Sequence, residues 1–195
     1  VGAGAGMSCY DFKAGIGTSS RLATAHGRRY TVGVLALTNF GVRHRLNVDG
    51  VPVGREITDL MPLENREGSC IVVLATDAPL SARQCERMAS RCAFGLAATG
   101  SYASDGSGEI MVAFSTAHRV PRASAEPLAL TTVTNDHMGG LFEAAVDATA
   151  ESVCNSLTAA VTTVGRDGNT AYALPLDELV EALRCAGRPA RLPGA

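Results

Sequence analysis

The sequence predicts an α/β protein of layered sheets with helices outside. Three observations carry this. The run from Ser69 to Ala75 (SCIVVLA) is apolar at both parities, as a strand covered on both faces is. Tyr30–Thr38 (YTVGVLALT) and Glu109–Ser115 (EIMVAFS) are two more β-rich runs. Helical periodicity follows at about 80–93 and again at about 140–164.

In chain order, Gly2-Ala3-Gly4-Ala5-Gly6 and Gly15-Ile16-Gly17-Thr18-Ser19-Ser20 read as glycine loops. Neither has a helix after it, as a dinucleotide fingerprint requires, so both point to tight turns and close backbone packing. Tyr30–Thr38 is a strand, Asn39-Phe40-Gly41 a turn, and Val42–Val48 (VRHRLNV) a half-exposed strand by its alternation. The Arg43-His44-Arg45 group then falls on a solvated face. Asp49-Gly50 is a further turn, leading into Val51-Pro52-Val53. Glu64-Asn65-Arg66-Glu67-Gly68 is charged and polar, an exposed loop and the clearest internal boundary. Pro79 suits a helix start, with Arg83, Glu86 and Arg87 on the wet side. The long helix of 140–164 carries Leu141, Phe142, Ala145, Val146, Val153, Leu157 and Val161 as its apolar stripe and ends at Gly165. Gly165-Arg166-Asp167-Gly168-Asn169 is a turn without the full oxygen set of a calcium loop. A short helix from Pro175 to Cys185 stops at Gly187, and a Pro/Gly tail follows Arg188.

Length and composition bound the function. The 195 residues are 46% apolar and 18% charged, enough for one domain with a core. A net charge of −2 argues against nucleic-acid binding driven by bulk electrostatics. No apolar run approaches the roughly 18 residues a membrane span needs. The six cysteines form no C-x-x-C and read as small buried hydrophobes. His26, His44, His118 and His137 are far apart in sequence and away from any Cys pair, so no metal site is expected. The opening Val1-Gly2-Ala3-Gly4, without an initiator Met, is expected to lie inside a longer chain.

The candidate chemistry centres on Gly68-Ser69. Serine needs a base to take its proton. A serine at a chain terminus carries one, since an α-amine has a reference pKa of ~7.7–8.0. A cut before Ser69 therefore supplies nucleophile and base on one residue, with no histidine required. Gly68 has no Cβ and tolerates a strained peptide there. By pattern alone Gly-Ser reads as an ordinary loop-to-strand junction, since such pairs are common. Cys70 is the better intrinsic nucleophile, but strand parity turns it to the other face with Val72 and Leu74. Ser107 and Glu109 stand at i and i+2 and share a face if their strand starts early. The carboxylate then orients the Ser107 hydroxyl toward the amine of Ser69. Alone, they are also a Ser/Gly loop and a solvated strand-edge Glu. Asn39, at a strand end, is a turn residue or a donor to a developing oxyanion, a role worth roughly 3 kcal/mol.

Taken together, the chain resembles the DmpA/BapA-type serine aminopeptidases, a family of L-aminopeptidase/D-amidase/esterases and β-peptidyl aminopeptidases. Carrying motifs are Gly6-Met7-Ser8-Cys9, Phe12-Lys13-Ala14-Gly15-Ile16-Gly17-Thr18, Tyr30–Leu35 leading to Asn39-Phe40-Gly41, and Val51–Glu56. Gly68-Ser69 with the run to Asp77-Ala78-Pro79-Leu80, Ser107-Gly108-Glu109, Leu141–Ala144, Gly165–Gly168 and Ala173-Leu174-Pro175 follow in order. The resemblance implies an αββα sandwich like that of N-terminal-nucleophile hydrolases, with different connectivity. It implies self-cleavage at Gly68-Ser69 into an α chain ending with residues 1–68 and a β chain of 69–195. Ser69 is then the nucleophile, Ser107 and Glu109 its support, and Asn39 part of the oxyanion site. Substrates are short peptides, amides or esters, the αβ units form homo-oligomers, and no metal or other cofactor is involved. The family's α portion also extends ahead of Val1 and carries part of the amino-group pocket. Two other readings are an ornithine acetyltransferase-like acyltransferase, which uses Thr where Ser69 stands, and a non-catalytic scaffold in which Gly68-Ser69 stays intact.

Overall fold

A four-stranded sheet organises the chain, and its register decides what faces the site. The computed structural model describes residues 2–62, 68–123 and 125–189. The charged loop expected at 64–67 and the tail beyond Pro189 lie outside the described residues. Two short strands, β1 (Ser8–Cys9) and β2 (Phe12–Lys13), form a small antiparallel pair. The main sheet follows: β3 (Ile16–Ala25), β4 (Arg28–Asn39), β5 (Ser69–Thr76) and β6 (Gly108–Ser115), in spatial order β3-β4-β5-β6. The first three are antiparallel neighbours, and β6 runs parallel to β5. That parallel step needs a crossover, and α2 (Ala82–Ala98) supplies it, alongside α3 (Gly139–Thr158) on the same face. A one-turn helix α1 (Val53–Glu56), the hairpin β7 (Thr163–Val164) with β8 (Thr170–Ala171), and α4 (Leu176–Cys185) complete the mixed α/β fold.

The helix-facing side of the sheet is the core. Val32, Val34 and Ala36 of β4 and Cys70, Val72 and Leu74 of β5 are buried there against Met88, Leu96, Ala145, Ala148 and Val153. Small residues let the layers close up. A Cβ on Gly17 would stand 1.9 Å from the Ser152 carbonyl oxygen of α3, so β3 and α3 pack backbone to backbone. The segment read as a glycine loop, Gly15–Ser20, is therefore mostly the start of a strand. The close packing expected of its glycines is what makes it one.

The opposite side of the sheet is open among the described residues. Leu35, Ile71, Ile110, Val112 and Phe114 point there and are 36–59% exposed. The Ser69–Ala75 run is thus apolar on both faces but covered by helices on one. Together the described residues supply one helix layer and one sheet layer.

Several local expectations shift. The α2 helix starts at a capping box, not at Pro79: Ser81 Oγ accepts from the Gln84 N–H (3.3 Å) while Gln84 Oε1 accepts from the Ser81 N–H (2.9 Å). The helix expected over 140–164 ends at Thr158, and Val161 is 74% exposed. The β-branched Thr163-Val164 pair forms a hairpin strand instead, with Gly165–Asn169 as its turn. His26 and His137, distant in sequence, stack at 3.8 Å between ring centroids, because the β3–β4 hairpin tip meets the turn before α3.

The largest departure is Val42–Val48. It is a 3-10 turn over Arg43–Arg45, and Arg43 is 4% exposed. Its guanidinium has five N–H donors, and these reach the carbonyls of Tyr10, Asp11, Ile57, Asp59 and Leu60. The same group lies 3.3 Å from the Phe12 ring centroid. Alternation mimicked a strand because a buried cation breaks the rule that Arg faces water. Burial pushes its pKa down to about 10, with Asp11 and Asp59 opposing.

Replacing Arg43 by Met strands five carbonyls and is expected to lower the unfolding free energy by roughly 3 kcal/mol or more in urea denaturation. Gly17→Ala drives a methyl into α3 and is expected to cost about 1–3 kcal/mol by the same measurement.

Candidate active site

Three strand ends meet at one edge of the sheet. The register pairs Asn39 of β4 with Ser69 of β5, and Ser69 with Gly108 of β6. Asn39 and Ser69 sit at the same parity, so both side chains leave the sheet on the open face. Ser69 is exposed there and Asn39 half-buried. The Gly108 N–H donates to Ser69 Oγ at 3.2 Å, which leaves the hydroxyl proton free to be given away.

The residue before Ser69 has no freedom to be anything but glycine. A Cβ on Gly68 would lie 1.7 Å from the Asn39 carbonyl oxygen. The Gly68-Ser69 peptide is thus pressed against the end of β4. Asn39 is itself oriented: its Oδ1 accepts the Ser8 N–H at 3.1 Å. With the amide oxygen occupied, the Nδ2 hydrogens are the end left to donate.

Ser107 and Glu109 do share a face. Ser107 Oγ donates to Glu109 Oε1 at 2.5 Å, a short charge-assisted contact. The strand begins at Gly108, one residue early, as that pairing requires. Glu109 is paired with Cys70 in the register, so the Ser107–Glu109 couple lies at the parity opposite the Ser69 side chain. No hydrogen bond joins Ser107 to Ser69 among the described residues; Gly108 meets the Ser69 hydroxyl instead. Sequence reading missed this backbone donor, since only the parallel pairing of distant strands reveals it.

Cys70 is core. It is 2% exposed, and burial, with the Glu109 carboxylate beside it, pushes its thiol pKa up to about 12. A thiol held so high has almost no thiolate at neutral pH.

Next to Asn39 opens a cavity of about 680 Å³, walled by Ser8, Asp11, Lys13 and the β7–β8 hairpin. The described residues include no cluster of His, Cys, Asp and Glu suited to a metal ion, and no helix long and apolar enough to cross a membrane.

Known proteins match this chain along nearly its whole length. The model for peptidase family S58 matches residues 1–171. A β-peptidyl aminopeptidase, BapA, of Sphingosinicella microcystinivorans is 42% identical over 200 residues, covering 94% of this chain and 50% of that protein. The PH0078 protein of Pyrococcus horikoshii OT3 superposes with a TM-score of 0.90 at 47% identity, over 96% of this chain and 52% of that one. The L-aminopeptidase D-Ala-esterase/amidase of Ochrobactrum anthropi, described as a prototype serine aminopeptidase with a variant of the Ntn hydrolase fold, gives 0.90 at 39% identity, over 96% and 52%. The chain spans about half the length of the curated relatives it matches.

In native protein at pH 8, iodoacetamide is expected to leave Cys70 unmodified and to label it only after denaturation, as read by peptide mass mapping. The raised pKa and the burial act in the same direction.

Proposed function

Because this chain belongs to peptidase family S58, we propose that it is the catalytic part of a self-processing serine aminopeptidase. It releases N-terminal residues from short peptides, amides or esters. The observation that carries this is the three-strand register, which gathers an exposed serine, an oriented amide and a backbone N–H at one sheet edge.

Self-processing comes first. Ser69 Oγ attacks the Gly68 carbonyl carbon, the Oγ proton passes to the departing Ser69 nitrogen, and an ester replaces the peptide bond. Water then cleaves the ester, leaving a Gly68 carboxylate and a free Ser69 amine. Residues 1–68 become the end of an α chain and 69–195 the β chain. The close approach of Gly68 to the Asn39 carbonyl supports this step, since it seats the scissile peptide beside the Asn39 end of β4.

Turnover uses the new amine as base. It takes the Ser69 Oγ proton, Oγ attacks the substrate carbonyl, and the oxyanion that forms is met by Asn39 Nδ2. The amine returns its proton to the leaving group, and water hydrolyses the acyl-Ser69 ester. Ser107, held by Glu109, accepts a hydrogen bond from the amine and keeps it aimed at Oγ. The whole protein acts as a homo-oligomer of αβ units on peptide-like substrates, not on nucleic acid or membranes.

The test is the N-terminal sequence of the purified full-length product. A chain beginning at Ser69 is expected in wild type and none in Ser69→Ala; an intact chain with full aminopeptidase activity overturns the proposal. Asn39→Ala is expected to lower kcat about 10²–10³-fold with a smaller change in KM.

A further inference from the structure

The cavity beside Asn39 holds a positive charge that the chemistry at Ser69 leaves unused. Lys13, on its wall, is 7% exposed. Its Nζ donates to the Gly4 carbonyl at 3.1 Å and to the Ala14 carbonyl. An ammonium has three N–H donors, so two are taken and one remains. Among the described residues no carboxylate lies within ion-pair distance of Lys13. Asp11, on the same wall, is engaged by the Arg43 N–H at 2.7 Å and by no lysine. Burial holds the Lys13 pKa below the usual lysine range, the direction of a cation not compensated by an anion.

A buried cation held only by carbonyl dipoles is a site in want of a negative charge. The other cation on the wall, Arg166, is 94% exposed at its side chain and already paired with Asp167 at 3.2 Å. The cavity is of a size that takes a small ligand, and it shares Asn39 with the Ser69 edge. A ligand that fills it reaches Asn39, the residue paired with Ser69. In a short peptide the group that arrives there with a full negative charge is the C-terminal carboxylate.

We infer that Lys13 is a specificity-determining residue whose remaining N–H takes the C-terminal carboxylate of a short peptide substrate. The inference rests on the reading of Ser69 as nucleophile. It makes the enzyme prefer di- and tripeptides with a free carboxylate over the same peptides capped as amides. The preference is made in binding, because the carboxylate takes no part in the bond changes and keeps its charge in ground and transition states.

The test uses the full-length protein with matched pairs of alanyl di- and tripeptides, free acid against C-terminal amide. In wild type the acid is expected to show a KM about tenfold lower than the amide at similar kcat, the size of one charge-assisted hydrogen bond. In Lys13→Met the ratio of the two KM values falls to about one, and Lys13→Arg restores it. Equal KM values for acid and amide in wild type overturn the inference even if Lys13→Met does not fold. So does a Lys13→Met enzyme that loses activity equally on both, which is the signature of a purely structural lysine. Wild-type protein that hydrolyses neither member of any pair, with Ser69 still peptide-bonded, overturns the Ser69 reading itself and this inference with it.

Discussion

Strand register is the constraint on which the rest of this structure depends. Side chains alternate along a strand, so a slip of one residue in β5 would turn Ser69 toward the helices and Cys70 toward the open face. The slip is blocked on the helix side and at the strand mouth. Cys70, Val72 and Leu74 are buried on the helix side. Thr38, paired with Cys70, bonds to the Gly15 carbonyl (3.1 Å) and to Ser156 Oγ (2.8 Å), which ties β4 to the residue just before β3 and to α3. At the strand mouth, Gly68 fits against the Asn39 carbonyl only because it has no side chain. The position of one hydroxyl is thus fixed by apolar burial, one threonine and one missing methyl group.

Behind that edge stands Arg43, which works as a scaffold. Two consecutive residues, Tyr10 and Asp11, have positive φ, a backbone shape that side chains resist. Arg43 holds both of their carbonyls, and Phe12 lies against its guanidinium. The opposite end of the same group holds Ile57, Asp59 and Leu60. A planar fork with five fixed donors can join two irregular segments in this way, and a lysine cannot. Two of the cavity's walls, at Asp11 and at Lys13, follow directly from that turn.

Much of this was legible in the residues themselves. The two-residue period alone separated Ser69 from Cys70 and put Ser107 with Glu109. The long apolar runs marked β5 and β6, and α3 announced itself by its stripe. What local pattern missed was set by tertiary contact. Ile16–Ala25 opens like a glycine loop, and it becomes a strand where Gly17 lets α3 approach. Arg43 looked solvated because the five carbonyls that hold it come from two separate stretches of chain. Gly108 carries no side chain to notice, and its N–H matters only through the parallel pairing with Ser69. The meeting of His26 and His137 likewise needed the sheet and α3 to be assembled first.

The hydrogen bond from Gly108 to Ser69 spans 39 residues of sequence, and Asn39 comes from yet another strand. None of the three is near the others until β4, β5 and β6 have paired. A chain still emerging from the ribosome, or one trapped part-way, holds the Gly68-Ser69 peptide as an ordinary linkage with nothing arrayed around it. Whatever reactivity that bond has is therefore switched on by completion of the sheet. On the proposed self-processing, folding is the clock for the first chemical event, and a misfolded copy stays uncut.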